Sequence, residues 1–266
     1  MDLDRACRAA GIGVVNVSAH DGRPRVHRAV PSLSTRLVVG LGAPITVHYD
    51  GQTRCSPAVT TGLMRPGVAT PSMTLRAHQP IAYVELAPST LRRLTGVPLS
   101  EFDAGGVSAD ATLPWIDTLA EELVDHPGGD RERLLRVRLL EQLSRADYRT
   151  ESEDALRALH LIGAGAGTVP VAELARAAHL SPRRLRFLMR QSLGITPKFA
   201  SRVARLASAV RRARAGADSW TQVAAESGYH DHSHLVHDFH DLMHTTPTAW
   251  LAEEGRNLQG RRLPAP

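Results

Sequence analysis

VAELARAAHLSPRRLRFLMRQSLGITP, residues 171–197, and TQVAAESGYHDHSHLVHDFHDLMHTTP, residues 221–247, are two copies of one pattern. Thr196-Pro197 and Thr246-Pro247 lie 50 residues apart, as do Leu185 and Leu235, and Met189 and Phe239. Upstream of the turn the offset is 49, pairing Leu174-Ala175 with Val223-Ala224 and Leu180 with Tyr229. The second copy therefore carries one extra turn residue. A repeat of this size implies a duplicated supersecondary unit.

Each copy reads as helix, short turn, helix. In the first, Val171, Leu174 and Ala175 form an i, i+3, i+4 apolar stripe. Ser181 is a good N-cap, and Pro182 falls at the first helical position, where proline is tolerated. Leu185, Leu188 and Met189 make the inner stripe of the second helix. On a helical wheel Arg183, Arg186, Phe187 and Arg190 fall opposite it. An apolar back with a guanidinium-rich front suits the major groove of duplex DNA. In the second copy Gly228 fits a helix end or tight turn, and Asp231 an N-cap. Leu235, Phe239 and Leu242 face inward, leaving Ser233, Val236, His237 and His240 outward. Val236 suits a thymine methyl, and histidine can meet base edges or phosphates.

These residues resemble the AraC family of bacterial transcription regulators. The matching motifs are LA-x5-S-x3-L from Leu174 to Leu185 and A-x3-GY-x3-SH-L from Ala224 to Leu235. G-x-TP at Gly194 to Pro197 and TTP-x2-W at Thr245 to Trp250 match as well. The resemblance spans roughly the last hundred residues. An arginine is usual in the family where Phe187 and His237 stand, and a glycine at His244. The resemblance implies two helix-turn-helix units, and many relatives carry a β-barrel sensor ahead of them.

Charge follows the same division. Residues 1–160 carry a net −1 and residues 161–266 a net +6, with 11 basic residues and one acid between Glu173 and Gly216. A polyanion partner is expected for the C-terminal half; a merely solvated helix face is the bland alternative. Hydrophobic content of 42% marks a globular chain, and 4% aromatic content argues against single-strand stacking platforms. Cys7 and Cys55 have no CxxC spacing, so no disulfide scaffold or cysteine zinc site is expected. No signal core and no long apolar run occurs, so a cytoplasmic protein without membrane contact is the reading.

Upstream of the repeat, segments at 13–17, 35–41, 45–49, 57–63 and 81–86 read as strands, with Asp50-Gly51 as a hairpin turn. They suggest a barrel or jelly-roll-like sheet. Helices follow at 89–95, from Pro114 with Trp115, Leu119 and Leu123 on one face, and from Asp130 to about Tyr148 with a Leu134, Val137, Leu140, Leu143 stripe. That helix pair is a candidate homodimer surface, or simply packs on its own sheet. The expected fold class is α+β in two domains: a β-rich sensor or dimerisation domain over 1–148, a linker at 149–152, the double helix-turn-helix domain over 153–254, and a disordered tail at 255–266. The run 197–215 is expected to be one helix bridging the two units.

Six histidines lie between His230 and His244, and His230/His234 and His240/His244 have i, i+4 spacing. With no HExxH and no nearby cysteine, they read as DNA-facing or solvated, and no metal or cofactor is assigned. Their protonation near pH 6.5 would add charge facing phosphates, so affinity is expected to rise on acidification. No catalytic residues are assigned: GxSxG, a cysteine–histidine arrangement and a Walker loop are absent from the sequence. His48, Asp50 and Glu85 are a weak catalytic trio. His48, Tyr49, Arg65, Arg76 and Tyr83 are candidates for the mouth of an effector site. The expected function is sequence-specific reading of double-stranded DNA by Arg183, Arg186, Phe187 and Arg190, then Ser233, Val236, His237 and His240. A small-molecule effector and RNA polymerase are candidate further partners. The competing readings are a DNA repair or modification enzyme with a Cys55 nucleophile, and a non-sensing dimeric adaptor.

Overall fold

A computed structural model of the chain describes residues 2–19, 24–102, 106–126, 128–146, 153–217 and 219–257. It divides into two compact units. The first comprises Met1–His27, Ser34–Leu63 and Pro71–Glu151; the second comprises Arg28–Leu33, Met64–Thr70 and Ser152–Pro266. Two short stretches of the N-terminal half thus belong to the second unit, which the expected single boundary did not foresee. The expected linker 149–152 lies outside the described residues.

The first unit opens with helix α1 (Leu3–Ala9) and carries strands β1 (Ile12–Ala19), β2 (Arg25–Arg28, its last residue counted with the second unit), β3 (Thr35–Gly40), β4 (Ile45–Tyr49), β5 (Gln52–Ser56), β6 (Ala58–Thr61), β7 (Ser72–Leu75), β8 (Pro80–Leu86) and β9 (Val107–Ser108). They form a five-stranded sheet in the order β1-β8-β3-β6-β9 and a four-stranded sheet in the order β2-β7-β4-β5. Val38 and Val59 of the first sheet meet Ile45 and Val47 of the second in a core that Met73, Ile81 and Tyr83 complete. At the Asp50-Gly51 turn both residues have positive φ, 48° and 71°, and Tyr49 pairs with Gln52. That is the primed geometry whose twist matches flanking strands, and glycine takes its second position without steric cost.

Helices α2 (Pro88–Thr95), α3 (Ile116–Asp125) and α4 (Arg131–Arg145) complete this unit. α4 packs on β1, and α2 on β3. β3 is therefore covered on both faces, and Leu37, Val38 and Val39 are all buried. The buried stripe of α4 is Leu135, Leu139 and Leu143, not Leu134, Val137 and Leu140, which are half-buried. The helix meets its sheet one residue out of phase with the expected stripe, because Leu134-Leu135 and Leu139-Leu140 offer leucine in either register. Tyr148, its expected end, lies outside the described residues.

The second unit is helical: α5 (Glu153–Ala164), α6 (Val171–Ala177), α7 (Pro182–Leu193), α8 (Pro197–Arg214), α9 (Trp220–Glu226), α10 (His232–Met243) and α11 (Pro247–Asn257). α6 and α7 are the first repeat, α9 and α10 the second. α8, 18 residues and so about 27 Å long, packs against both α7 and α10. The two Thr-Pro motifs do one job twice. The Thr196 hydroxyl accepts from the Phe199 amide and that of Thr246 from the Ala249 amide, both at 3.2 Å, and each proline sits at the first helical position. The expected tail at 255–266 begins inside α11, and residues 258–266 lie outside the described residues.

Each repeat also needs two left-handed residues. In the turn these are His179 (φ 53°) and Gly228 (φ 75°); after the second helix they are Gly194 (φ 70°) and His244 (φ 50°). Histidine and glycine have exchanged places between the copies. A side chain in this region costs about 1–2 kcal/mol, partly offset by the entropy glycine would lose. His179 and His244 are exposed. His179→Gly and His244→Gly are therefore each expected to stabilise the protein by about 0.5–1 kcal/mol in denaturant unfolding. An unchanged or lowered midpoint would show that these histidines hold their turns by more than backbone conformation.

Candidate nucleic-acid interface

α7 begins as its sequence dictates. The Ser181 hydroxyl accepts from the Arg184 amide at 3.2 Å, and Pro182 occupies the first turn. Leu185, Met189 and Leu193 are buried, whereas Leu188 is only half-buried. Arg183, Arg186, Phe187 and Arg190 are all exposed on the opposite side, Phe187 by 53%. The Arg184 guanidinium lies 5.2 Å from the centre of the Phe187 ring. This cation–π contact extends the basic face by a residue that wheel reasoning did not single out.

α10 starts on Asp231, whose carboxylate accepts from the His234 amide at 2.8 Å. That bond, with a second from His230, holds the Asp231 pKa below the ordinary aspartate value. Ser233, His237 and His240 are exposed, and Val236 is half-buried. Leu235, Phe239, Leu242 and Met243 pack inward with Trp250. Of the eight residues singled out in the sequence, seven are thus exposed on α7 and α10 and Val236 is half-buried. His237 Nε2 lies 3.2 Å from the Asp241 carboxylate, so part of any charge gained by protonation is answered on its own helix. His240 and His244 have ring centres 6.4 Å apart. Among the described residues no group of three metal-ligating side chains occurs.

Sequence reasoning missed Asp238. It sits in the middle of α10 with 1% exposure, where the helical pattern asks for an apolar residue. Arg202 of α8 donates to its Oδ1 from Nε at 2.9 Å and from Nη2 at 2.7 Å. The same Nη2 donates to Asp241 Oδ2 at 2.8 Å. Burial opposes the Arg202 charge, but bonds to Asp241 and Asp238 outweigh it, and its pKa rises. Arg202 in turn holds the Asp241 carboxyl below the ordinary range. Burial, reinforced by the Asp238 charge, pushes the Tyr229 phenol far up, so it stays neutral; the Arg205 guanidinium lies over its ring at 5.3 Å. The triad ties α8 to α10. A spacing rule for basic and apolar residues cannot find it, because its acids point to a partner 36 and 39 residues away.

The other candidates fall on different elements. His48 spends its ring nitrogens on the hydroxyls of Thr53 and Thr74, on the four-stranded sheet, while Glu85 stands on β8 of the five-stranded sheet. The Tyr83 hydroxyl accepts from Arg36, and Arg65 belongs to the second unit. Burial raises the Cys7 thiol pKa, the opposite of an activated nucleophile, and Cys55 is exposed on β5 beside Thr46. Among the described residues no helix is long and apolar enough to cross a membrane.

Residues 174–253 match a family model described as a helix-turn-helix domain. No curated protein matches the chain in sequence. Among solved structures, ToxT from Vibrio cholerae O395 superposes with a TM-score of 0.52 at 10% identity, over 94% of this chain and 99% of that one. Wild-type ToxT from Vibrio cholerae strain SCE256 with a bound unsaturated fatty acid gives 0.52 at 12% identity, over 90% of this chain and 94% of that one. At these identities the likeness is one of fold, and it extends across both units.

Proposed function

From the AraC-type helix-turn-helix domain at residues 174–253, we infer that this protein is a DNA-binding transcriptional regulator that reads duplex DNA with α7 and α10. The observation that carries the reading is the pair of capped helices. Each has a buried, largely apolar side and an outward side bearing Arg183, Arg186, Phe187 and Arg190, or Ser233, Val236, His237 and His240. A bridging helix of about 27 Å suits two reading helices in successive major grooves, about 34 Å apart. The arginine-rich first helix favours guanine edges and phosphates. The second, with a valine methyl face and histidines, favours a thymine-containing element.

Selection of bound fragments from random duplex DNA tests this. A bipartite motif with elements about 10–10.5 base pairs apart is expected. Enrichment of no motif would refute it. On the selected duplex, Arg186→Ala is expected to cost about 1–3 kcal/mol and relax the preference at one base pair. A uniform loss on all sequences would reassign Arg186 to a phosphate.

The β-rich unit is read as a sensor of a small molecule. A cleft of about 290 Å³ is lined by Val47, Val59, Cys55, Ser56 and Ser108, with the Arg54 guanidinium bonded to the Gly106 carbonyl at its edge. An apolar floor beside an arginine suits a small ligand with an anionic end. The fatty acid held by ToxT is a ligand of that chemistry. A molecule taken up there must raise the stability of the folded state. Pairing of two chains and contact with RNA polymerase remain parts of this proposal.

A further inference from the structure

The two stretches that the N-terminal half lends to the second unit meet its reading helices at equivalent points. Arg65 Nη1 donates to the Leu193 carbonyl at 3.1 Å. Arg28 Nη1 donates to the Met243 carbonyl at 3.0 Å. Leu193 and Met243 are the last residues of α7 and α10, and they lie 50 positions apart, in register with the repeat. The last carbonyls of a helix have no partner within it, and a cation there also meets the negative end of the helix dipole. At the first site the fit is close. A Cβ on Gly194 would collide with the Arg65 guanidinium, so the left-handed glycine serves both the turn and the arginine.

One of the stretches touches both repeats. Five residues after Arg65, the Thr70 amide donates to the Leu242 carbonyl of α10 at 2.9 Å. Five peptide links reach at most about 18 Å. Between them Pro66 fixes its own φ and Gly67 turns at φ 83°, with Pro71 just beyond. Residues 64–70 are thus a short, stiff strap from the end of one reading helix to the end of the other.

We propose that residues 28–33 and 64–70 are positioning elements of the DNA-reading domain, and that the 64–70 strap sets the separation of its two reading helices. The proposal rests on the two-groove reading given above. It predicts that the strap governs tolerance to spacing and leaves the sequence of each element untouched.

The test uses the full chain and duplexes carrying the motif that wild type selects, with one base pair inserted or removed between its elements. One base pair shifts an element by about 3.4 Å and turns it by about 35°, and wild type should lose about tenfold in affinity. Arg28→Ala/Arg65→Ala should select the same two elements, yet lose only about twofold on the altered spacings. The Arg28→Lys/Arg65→Lys protein should regain most of the spacing penalty. A second variant, with Gly-Gly-Ser inserted after Gly67, keeps every capping group but slackens the strap, and should relax spacing in the same way. An undiminished tenfold penalty in a folded alanine variant, or in the insertion variant, would overturn the proposal. Failure of wild type to select a bipartite motif would instead refute the two-groove reading itself.

Discussion

Trp250→Ala is expected to destabilise the second unit by about 3–5 kcal/mol, the cost of emptying a large buried aromatic site. Trp250 has no exposed surface. Its ring lies 5.9 Å from Phe239 of α10 and 6.5 Å from Trp220 of α9, and the Arg214 guanidinium of α8 covers it at 5.4 Å. Four helices therefore converge on one indole. Native stability is typically 5–15 kcal/mol, so this loss removes a large part of it. DNA affinity should fall with it, although no residue of α11 belongs to the reading face. Denaturant unfolding followed by far-UV dichroism reads the first effect and anisotropy titration the second. A loss under about 1 kcal/mol would mean that the aromatic cluster is not what fixes α10.

Arg202→Ala should cost about 3 kcal/mol, at the low end for a broken buried pair because Arg202 is itself about a quarter exposed. The cost arises from leaving the Asp238 carboxylate buried without its partner, not from the strength of the bond. Replacing both groups with apolar ones of similar volume, as in Arg202→Met/Asp238→Leu, should recover most of the loss or exceed wild type. A double variant no better than Arg202→Ala would contradict this. Acid has a defined sign here. Asp241 titrates below its ordinary value because Arg202 bonds it. Its contribution is therefore present above about pH 3.9 and lost as pH falls through the lower folded value. That acid sensitivity should shrink when Arg202 is gone.

The helical half was legible because its signals are local. Ser181, Asp231, Pro182 and Pro247 mark helix starts within a few residues, and a 50-residue offset doubles every inference. Five strands were legible for the same reason, being short apolar runs beside Gly and Pro. β2, β5, β7 and β9 were not: Arg25–Arg28 and Gln52–Ser56 carry polar or exposed residues, and only pairing with β7 and β4 makes them strands. Asp238 was hidden because a buried charge breaks the apolar pattern and is explained only by a distant arginine. The straps were hidden most completely. Nothing in RVHRAVPSL or LMRPGVATP announces that Arg28 and Arg65 end as helix caps more than a hundred residues away.

The central claim is that two unlike helix faces enter neighbouring major grooves on one side of a duplex. Methylation protection of guanine N7, which lies in the major groove, tests it most directly when the full chain is bound to its selected duplex. The account predicts two protected clusters about one helical turn apart, with the guanine contacts concentrated under α7 and protection at one guanine lost in Arg186→Ala. A single cluster, or two clusters half a turn apart on opposite sides of the duplex, would contradict it.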